Sequence, residues 1–355
     1  MYPKVYVYLE RIYENARYLN NLCNNYGVNI VGVTKVVCAE PHIAQTFVDS
    51  GISILGDSRI QNIKNMIDNG IKAEYMLLRI PMLSELDNVV RFVDYTLISE
   101  LKTARTLGEV SKFFNKKIKV IYMVDIGDLR EGVWFDNAVS EVSEALNIKG
   151  IEVVGIGTNL GCFGGVIPSK DNMQKLLDIK SEIEKNTGII LSVVSGGTSA
   201  TLPLIEDKNL PKGINQFRLG ESIICGTDAT NRRIVPGTRQ DAIVLEAEIV
   251  EIKEKPSVPY GKIGHDAFGR KPSFIDQGMR LKGILAVGEQ DISPSTTYPL
   301  DDKDIEVLHA SSDHMIIDLT KSKFKYKVGD KIRFTLGYSS VLRAFTSSYV
   351  EKVIL

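Results

Sequence analysis

One pattern dominates this chain. Between residues 29 and 219, eight short apolar, β-prone runs alternate with helical stretches. The candidate strands are Asn29–Lys35, Ser53–Asp57, Tyr75–Ile80, Tyr95–Ile98, Lys119–Asp125, Val153–Asn159, Leu191–Ser195 and Gln216–Leu219. The intervening segments, such as Pro41–Asp49 and Asp171–Asn186, carry helical spacing. Eight βα units of this length predict a closed parallel (β/α)8 TIM-type barrel, an α/β fold. A doubly wound open sheet is the alternative.

After Asn231 the helical spacing fades. Short alternating runs follow at Ile243–Ile252, Gly283–Val287, Met315–Leu319 and Lys331–Leu336, separated by Gly, Pro and Asp. The expectation is a barrel over 9–231 and a mostly-β C-terminal domain over 232–355. Residues 1–8 could join the latter, because Val5–Leu9 also alternates.

Composition narrows the function classes. The net charge is −1, which gives no electrostatic case for nucleic acid or an acidic membrane. No apolar run approaches the ~20 residues of a membrane span. The N-terminus is too polar for a signal peptide. Cys23, Cys38, Cys162 and Cys225 lie far apart, so they read as reduced thiols of a cytoplasmic protein. The four histidines form no close pair, which argues against a metal site.

Several strands end in polar or glycine-rich punctuation, at the face where such barrels do chemistry. Lys35 ends the first, where an amine could form a Schiff base with an aldehyde cofactor. Its position alone also fits a surface lysine. Ser195-Gly196-Gly197-Thr198-Ser199 and Arg218-Leu219-Gly220-Glu221 follow strands seven and eight. Glycine amides and hydroxyls there could cradle a phosphate, or simply make βα turns. Arg218 could keep a pyridine nitrogen unprotonated, or pair with Glu221 or Asp228. Arg130, past strand five, could donate to a phenolate or carboxylate, or bridge one of two nearby acids.

IVGVTKVV, ILGDSRIQNI, LLRIPMLSE, MVDIGDLREGVW, GIGTNLGCFGGV, VSGGTSA, FRLGES, DAFG and SSDHMIIDL together carry a resemblance that spans nearly the whole chain. The chain resembles the alanine-racemase-like (fold type III) pyridoxal-phosphate enzymes, and within them the ornithine racemase group. The resemblance implies pyridoxal 5'-phosphate as cofactor and a head-to-tail homodimer, each barrel mouth completed by the partner's β domain. It implies Lys35 as the Schiff-base lysine. Thr198, Ser199, Gly220 and Tyr338 (in GYSSVLRAF) would bind phosphate. Arg218 would face the pyridine nitrogen, Arg130 the phenolic oxygen, and Asn159 would sit near the ring. Tyr260, in SVPYGKIG, matches the second catalytic base, with His265 the other candidate.

The departures from the alanine racemase pattern are specific. Val36-Val37-Cys38-Ala39 replaces a segment with a phosphate-binding tyrosine, and Met123 replaces a modified lysine. Glu289, in AVGEQD, stands where a tyrosine narrows the entrance. A carboxylate there, with Asp291 or Asp266, could meet the distal ammonium of a basic amino acid. Ser312 and Asp313 are further candidates for substrate contact. The expected activity is therefore two-base racemisation of a basic amino acid, ornithine before lysine. An alanine or broad-specificity racemase is the nearest alternative. A decarboxylase of the same fold would show a C-D-x-x-D-like motif and a carboxylate at the pyridine nitrogen. A cofactor-homeostasis protein would lack the β domain.

Overall fold

Eight parallel strands carry the first unit, and their apolar runs are the reason they form. They are β1 (Asn29–Val33), β2 (Ile54–Asp57), β3 (Glu74–Leu77), β4 (Tyr95–Ile98), β5 (Ile118–Asp125), β6 (Ile151–Gly157), β7 (Val193–Ser195) and β8 (Gln216–Leu219). Each pairs with the next, and β8 pairs with β1, so the sheet closes into a barrel. Closure removes the open-sheet alternative. Strands covered on both faces need continuous apolar sequence, and β5 is buried everywhere except at Lys119. Val31, Met76, Leu97, Ile121 and Met123 form one buried cluster from β1, β3, β4 and β5. The register sets Arg218 beside Val31, so its side chain shares the Val31 face of the sheet.

This computed structural model describes residues 2–355. The first compact unit is Ile12–Arg239; the second combines residues 2–11 with Gln240–Leu355. The sequence reading ends the barrel at 231, where helical spacing fades. The segment beyond is held to the barrel unit by side chains that periodicity does not report. Arg233 bridges Glu206 and Asp228, and the Asn15 amide donates to the Arg239 carbonyl at 2.9 Å.

The connections obey local rules. The helix Lys170–Thr187 opens on a reciprocal Ser169–Asn172 capping box and ends at Gly188, φ +70°. Chain geometry shortens the first strand relative to the sequence reading. It ends at Val33, and Lys35–Val37 forms a single 3-10 turn followed by left-handed Cys38 and Ala39.

In the second unit, the path of paired strands runs Thr297–Pro299, Lys331–Leu336, Ile243–Pro256, Met279–Leu285, Met315–Asp318, Glu306–Ala310. The N-terminal strand Lys4–Val7 joins this unit, antiparallel to Ile243–Pro256 and parallel to Glu351–Ile354. Met279–Leu285 begins ahead of Gly283, where the sequence reading starts it, because Arg280 and Lys282 mask the apolar run. Residues 257–278 leave the sheet as a long excursion between two paired strands.

Candidate functional site

The C-terminal ends of the barrel strands bring one set of expected residues together. Lys35 follows β1, Arg130 follows β5, Asn159 follows β6, Thr198 and Ser199 follow β7, and Gly220 follows β8, which itself carries Arg218. Lys35 is partly buried. Desolvation pulls its amine below the ordinary lysine range. Arg130 acts in the same direction, while Cys162, Asp57 and Glu131 oppose it. Such an amine releases its proton more readily than a surface lysine.

Arg218 is 4% exposed. Its Nη2 donates to the Thr158 carbonyl at 2.7 Å and to Asn159 Oδ1 at 2.6 Å, and its Nη1 donates to Ser195 Oγ. It pairs with neither Glu221 nor Asp228, the structural alternatives read from sequence. Asp228 meets Arg233, and Glu221 accepts from Thr227 and Ala229. Burial pushes the guanidinium down to about 10, so it remains cationic at neutral pH. The Thr158 hydroxyl is buried without a partner.

Arg130 makes the local salt bridge that its neighbours allow, with Glu131 at 2.5 Å. The other nearby acid, Asp128, is occupied. It accepts backbone N–H bonds from Gly161, Cys162, Phe163 and Val166 at 2.8–3.1 Å. Burial opposes its ionisation, but these four donors outweigh it and hold its carboxyl below the usual range. The loops after β5 and β6 are thus folded around one carboxylate. Gly132 is required there: at φ +136°, an added Cβ would stand 2.4 Å from the Asp125 nitrogen.

Ser199 is buried and bonds Ser222 twice, through its hydroxyl and through the Ser222 amide. It therefore knits the loops after β7 and β8. Gly197, in the loop after β7, has φ +118°, and a Cβ there would meet Thr201 Oγ1 at 2.7 Å.

Sequence reasoning missed two acids. Asp57 ends β2 fully buried, accepting from Thr34 Oγ1 (2.8 Å), Asn62 Nδ2 (2.9 Å) and the Arg59 amide (3.0 Å). Burial raises its pKa against those bonds. Glu131 accepts from Asn159 as well as pairing with Arg130. The available signals were the place of Asp57 in strand-end punctuation and that of Glu131 beside Arg130.

The remaining expected residues lie in the second unit. Tyr260 and His265 are exposed on the 257–278 excursion. Tyr338 begins the helix Tyr338–Thr346. Ser312 and Asp313 bond each other, and Gln290 donates to Asp313. Glu289 and Asp266 are read from sequence as carboxylates open to a ligand, but arginines of the same unit already hold them. Arg270 meets Glu289 at 2.6 Å and Asp266 at 2.8 Å, and Arg343 meets Glu289 at 3.4 Å. Asp291 accepts from Ser347 at 2.7 Å. Among the described residues, no cluster of His, Cys, Asp or Glu could hold a metal, and no helix is long and apolar enough to cross a membrane.

A barrel whose strand ends gather a desolvated lysine, two arginines and a glycine-serine loop has the architecture of the alanine racemase fold. Residues 7–227 match the family model for the alanine racemase N-terminal domain, and the chain belongs to that family. It is 47% identical to a lysine racemase of Thermotoga maritima, covering 99% of this chain and 98% of that one. It is 43% identical to an ornithine racemase of Acetoanaerobium sticklandii over the full length of both. Among solved structures, an alanine racemase of Clostridium difficile superposes with a TM-score of 0.72 at 17% identity, covering 100% of this chain and 96% of that one.

Proposed function

We propose that the protein is a pyridoxal-phosphate-dependent racemase interconverting the L and D forms of a basic amino acid, ornithine or lysine. The observation that carries this is the barrel mouth, where desolvated Lys35 lies in the field of Arg130 and Glu131, with Arg218 linked to Glu131 through Asn159. The two full-length relatives favour a basic substrate, and their similar identities favour neither ornithine nor lysine.

The donor set fits the cofactor. Lys35 would hold it covalently, Arg218 and Arg130 would meet the two polar ends of its ring, and the Gly197–Ser199 and Gly220 loops would receive its phosphate, with Tyr338 in support. When bound, the cofactor acidifies the α-proton of the amino acid attached to it. Lys35 Nζ takes or returns that proton on one face, and its lowered proton affinity suits it to act as a base near neutrality. Tyr260 of the partner subunit serves the other face. Arg218, a permanent cation at the ring end, keeps the ring a weak electron sink and so disfavours side reactions.

Apolar exposure supports the head-to-tail dimer. Met82, Leu83, Leu129, Phe163 and Ile167 are uncovered on the loops after β3, β5 and β6. Tyr260, Ile263, Phe268, Phe274 and Ile275 are uncovered on the 257–278 excursion. Each set needs a cover, and a second copy would supply it. Four free thiols fit a reducing cytoplasm.

The decisive test is a chiral assay of cofactor-loaded enzyme against L- and D-ornithine, lysine and alanine. Ornithine or lysine should racemise fastest, and Lys35→Ala should abolish the reaction. Preference for alanine, or carbon dioxide release in place of racemisation, would refute the reading.

A further inference from the structure

Glu131 sits in the loop after β5 with its side chain 13% exposed. Its Oε2 meets Arg130 Nε at 2.5 Å, and its Oε1 accepts from Asn159 Nδ2. Asn159 in turn presents Oδ1 to Arg218 Nη2 at 2.6 Å. An ionised carboxylate only accepts hydrogen bonds. Glu131 therefore fixes the Asn159 amide with its nitrogen inward to the acid and its oxygen toward Arg218. One anion ties two guanidiniums, the first directly and the second through an amide.

The other acids of this mouth are spent elsewhere. Asp128 is filled by four backbone amides. Asp57 is filled by Thr34, Arg59 and Asn62.

We propose that Glu131 is a positioning residue of the racemase: it orients Arg130 and, through Asn159, Arg218 toward the cofactor, and it offsets the positive charge that Arg130 brings near Lys35. The inference rests on the function proposed above. The groups facing Lys35 are Cys162, Arg130, Asp57 and Glu131. Glu131 raises the proton affinity of Lys35, so removing its charge makes the amine give up its proton at lower pH.

Two substitutions separate charge from reach. Glu131→Gln keeps the volume but removes the charge and one acceptor. Glu131→Asp keeps the charge but is one methylene too short to span both partners. Two quantities are read: the dissociation constant of pyridoxal phosphate from the apoprotein, and the acidic limb of the kcat–pH profile in the loaded enzyme. Glu131→Gln should weaken cofactor binding about ten- to a hundredfold, the effect of one lost charge-assisted contact. It should also move the acidic limb to lower pH. Glu131→Asp should weaken binding similarly while leaving the limb in place. The double variant Glu131→Gln/Asn159→Ala should bind no more weakly than the worse single variant, because both cut the same path. An unmoved limb in Glu131→Gln, or affinity losses that multiply in the double variant, would overturn the inference. A parent enzyme that binds no pyridoxal phosphate would instead overturn the function itself, and this inference with it.

Discussion

Replacing Arg218 by alanine tests the mouth without any cofactor present. The guanidinium on β8 joins the ends of three strands, because its acceptors are Ser195, the last residue of β7, and Thr158 and Asn159 after β6. All three are buried. Leaving three buried acceptors dry would cost roughly 3–9 kcal/mol at about 1–3 kcal/mol each. One effect runs the other way. Burial holds the guanidinium at about 10 against 12.5 in water, a penalty of about 3 kcal/mol at 1.36 kcal/mol per pH unit, which alanine relieves. Water entering the vacated space also rehydrates part of the stranded set. The two terms leave a net loss centred on about 3 kcal/mol, within a span of about 0–6 kcal/mol, in line with breaking a buried charged contact. For a unit of this size, each kcal/mol lowers the melting midpoint by roughly 2–4 °C, so the apoprotein should melt about 5–15 °C lower. Thermal unfolding followed by far-UV circular dichroism measures this. Arg218→Lys, which keeps the charge but not the fork, should fall between. A midpoint for Arg218→Ala within 2 °C of the parent, a margin well below that range, would show that these bonds contribute no net stability.

Three further outcomes are expected. Asp57→Asn should be more stable than the parent at pH 8 but not near pH 4. The folded pKa of Asp57 is raised by burial, so the parent loses stability as pH rises from 3.8 through that pKa, and asparagine has no such loss; a pH-independent difference between the two melting curves would contradict this. Mixing Lys35→Ala with Tyr260→Phe protomers should restore racemisation, to about a quarter of parental sites at random pairing, because one site of each hybrid holds both bases; proven hybrids without activity would remove Tyr260 and bring His265 forward. Glu289→Gln should change kcat/KM for ornithine and alanine by similar factors, since Arg270 and Arg343 already hold its oxygens; a loss confined to ornithine would restore it as an ammonium contact.

The barrel was legible because its signal is local. Tyr95–Ile98 and Gln216–Leu219 are read from sequence with the bounds the structure gives, since a short apolar run between polar turns has few ways to bury itself. Lys35 is the instructive exception. Continuing the apolar run through it makes it a strand residue, whereas the backbone turns at Thr34, whose hydroxyl is taken by Asp57. That bond ties the turn after β1 to the end of β2, and nothing in either run announces it.

The same limit explains the second unit and the missed glutamate. From sequence, Glu289 is an acid in a β-rich segment and Glu131 is one of two acids beside Arg130. Which acid is free depends on partners far along the chain. Arg343 lies 54 residues from Glu289, and Asn159 lies 28 residues from Glu131. Asp128 and Glu131 differ by only three positions, yet the first is consumed by the amides of a folded loop and the second is left to bridge side chains. Residue type and spacing can nominate a carboxylate for chemistry. They cannot say whether its lone pairs are already filled, because that is decided by which loops the closed barrel brings side by side. The acid flanked by glycine, Asp128, builds the loop, and the acid beside the arginine, Glu131, bridges Arg130 and Asn159.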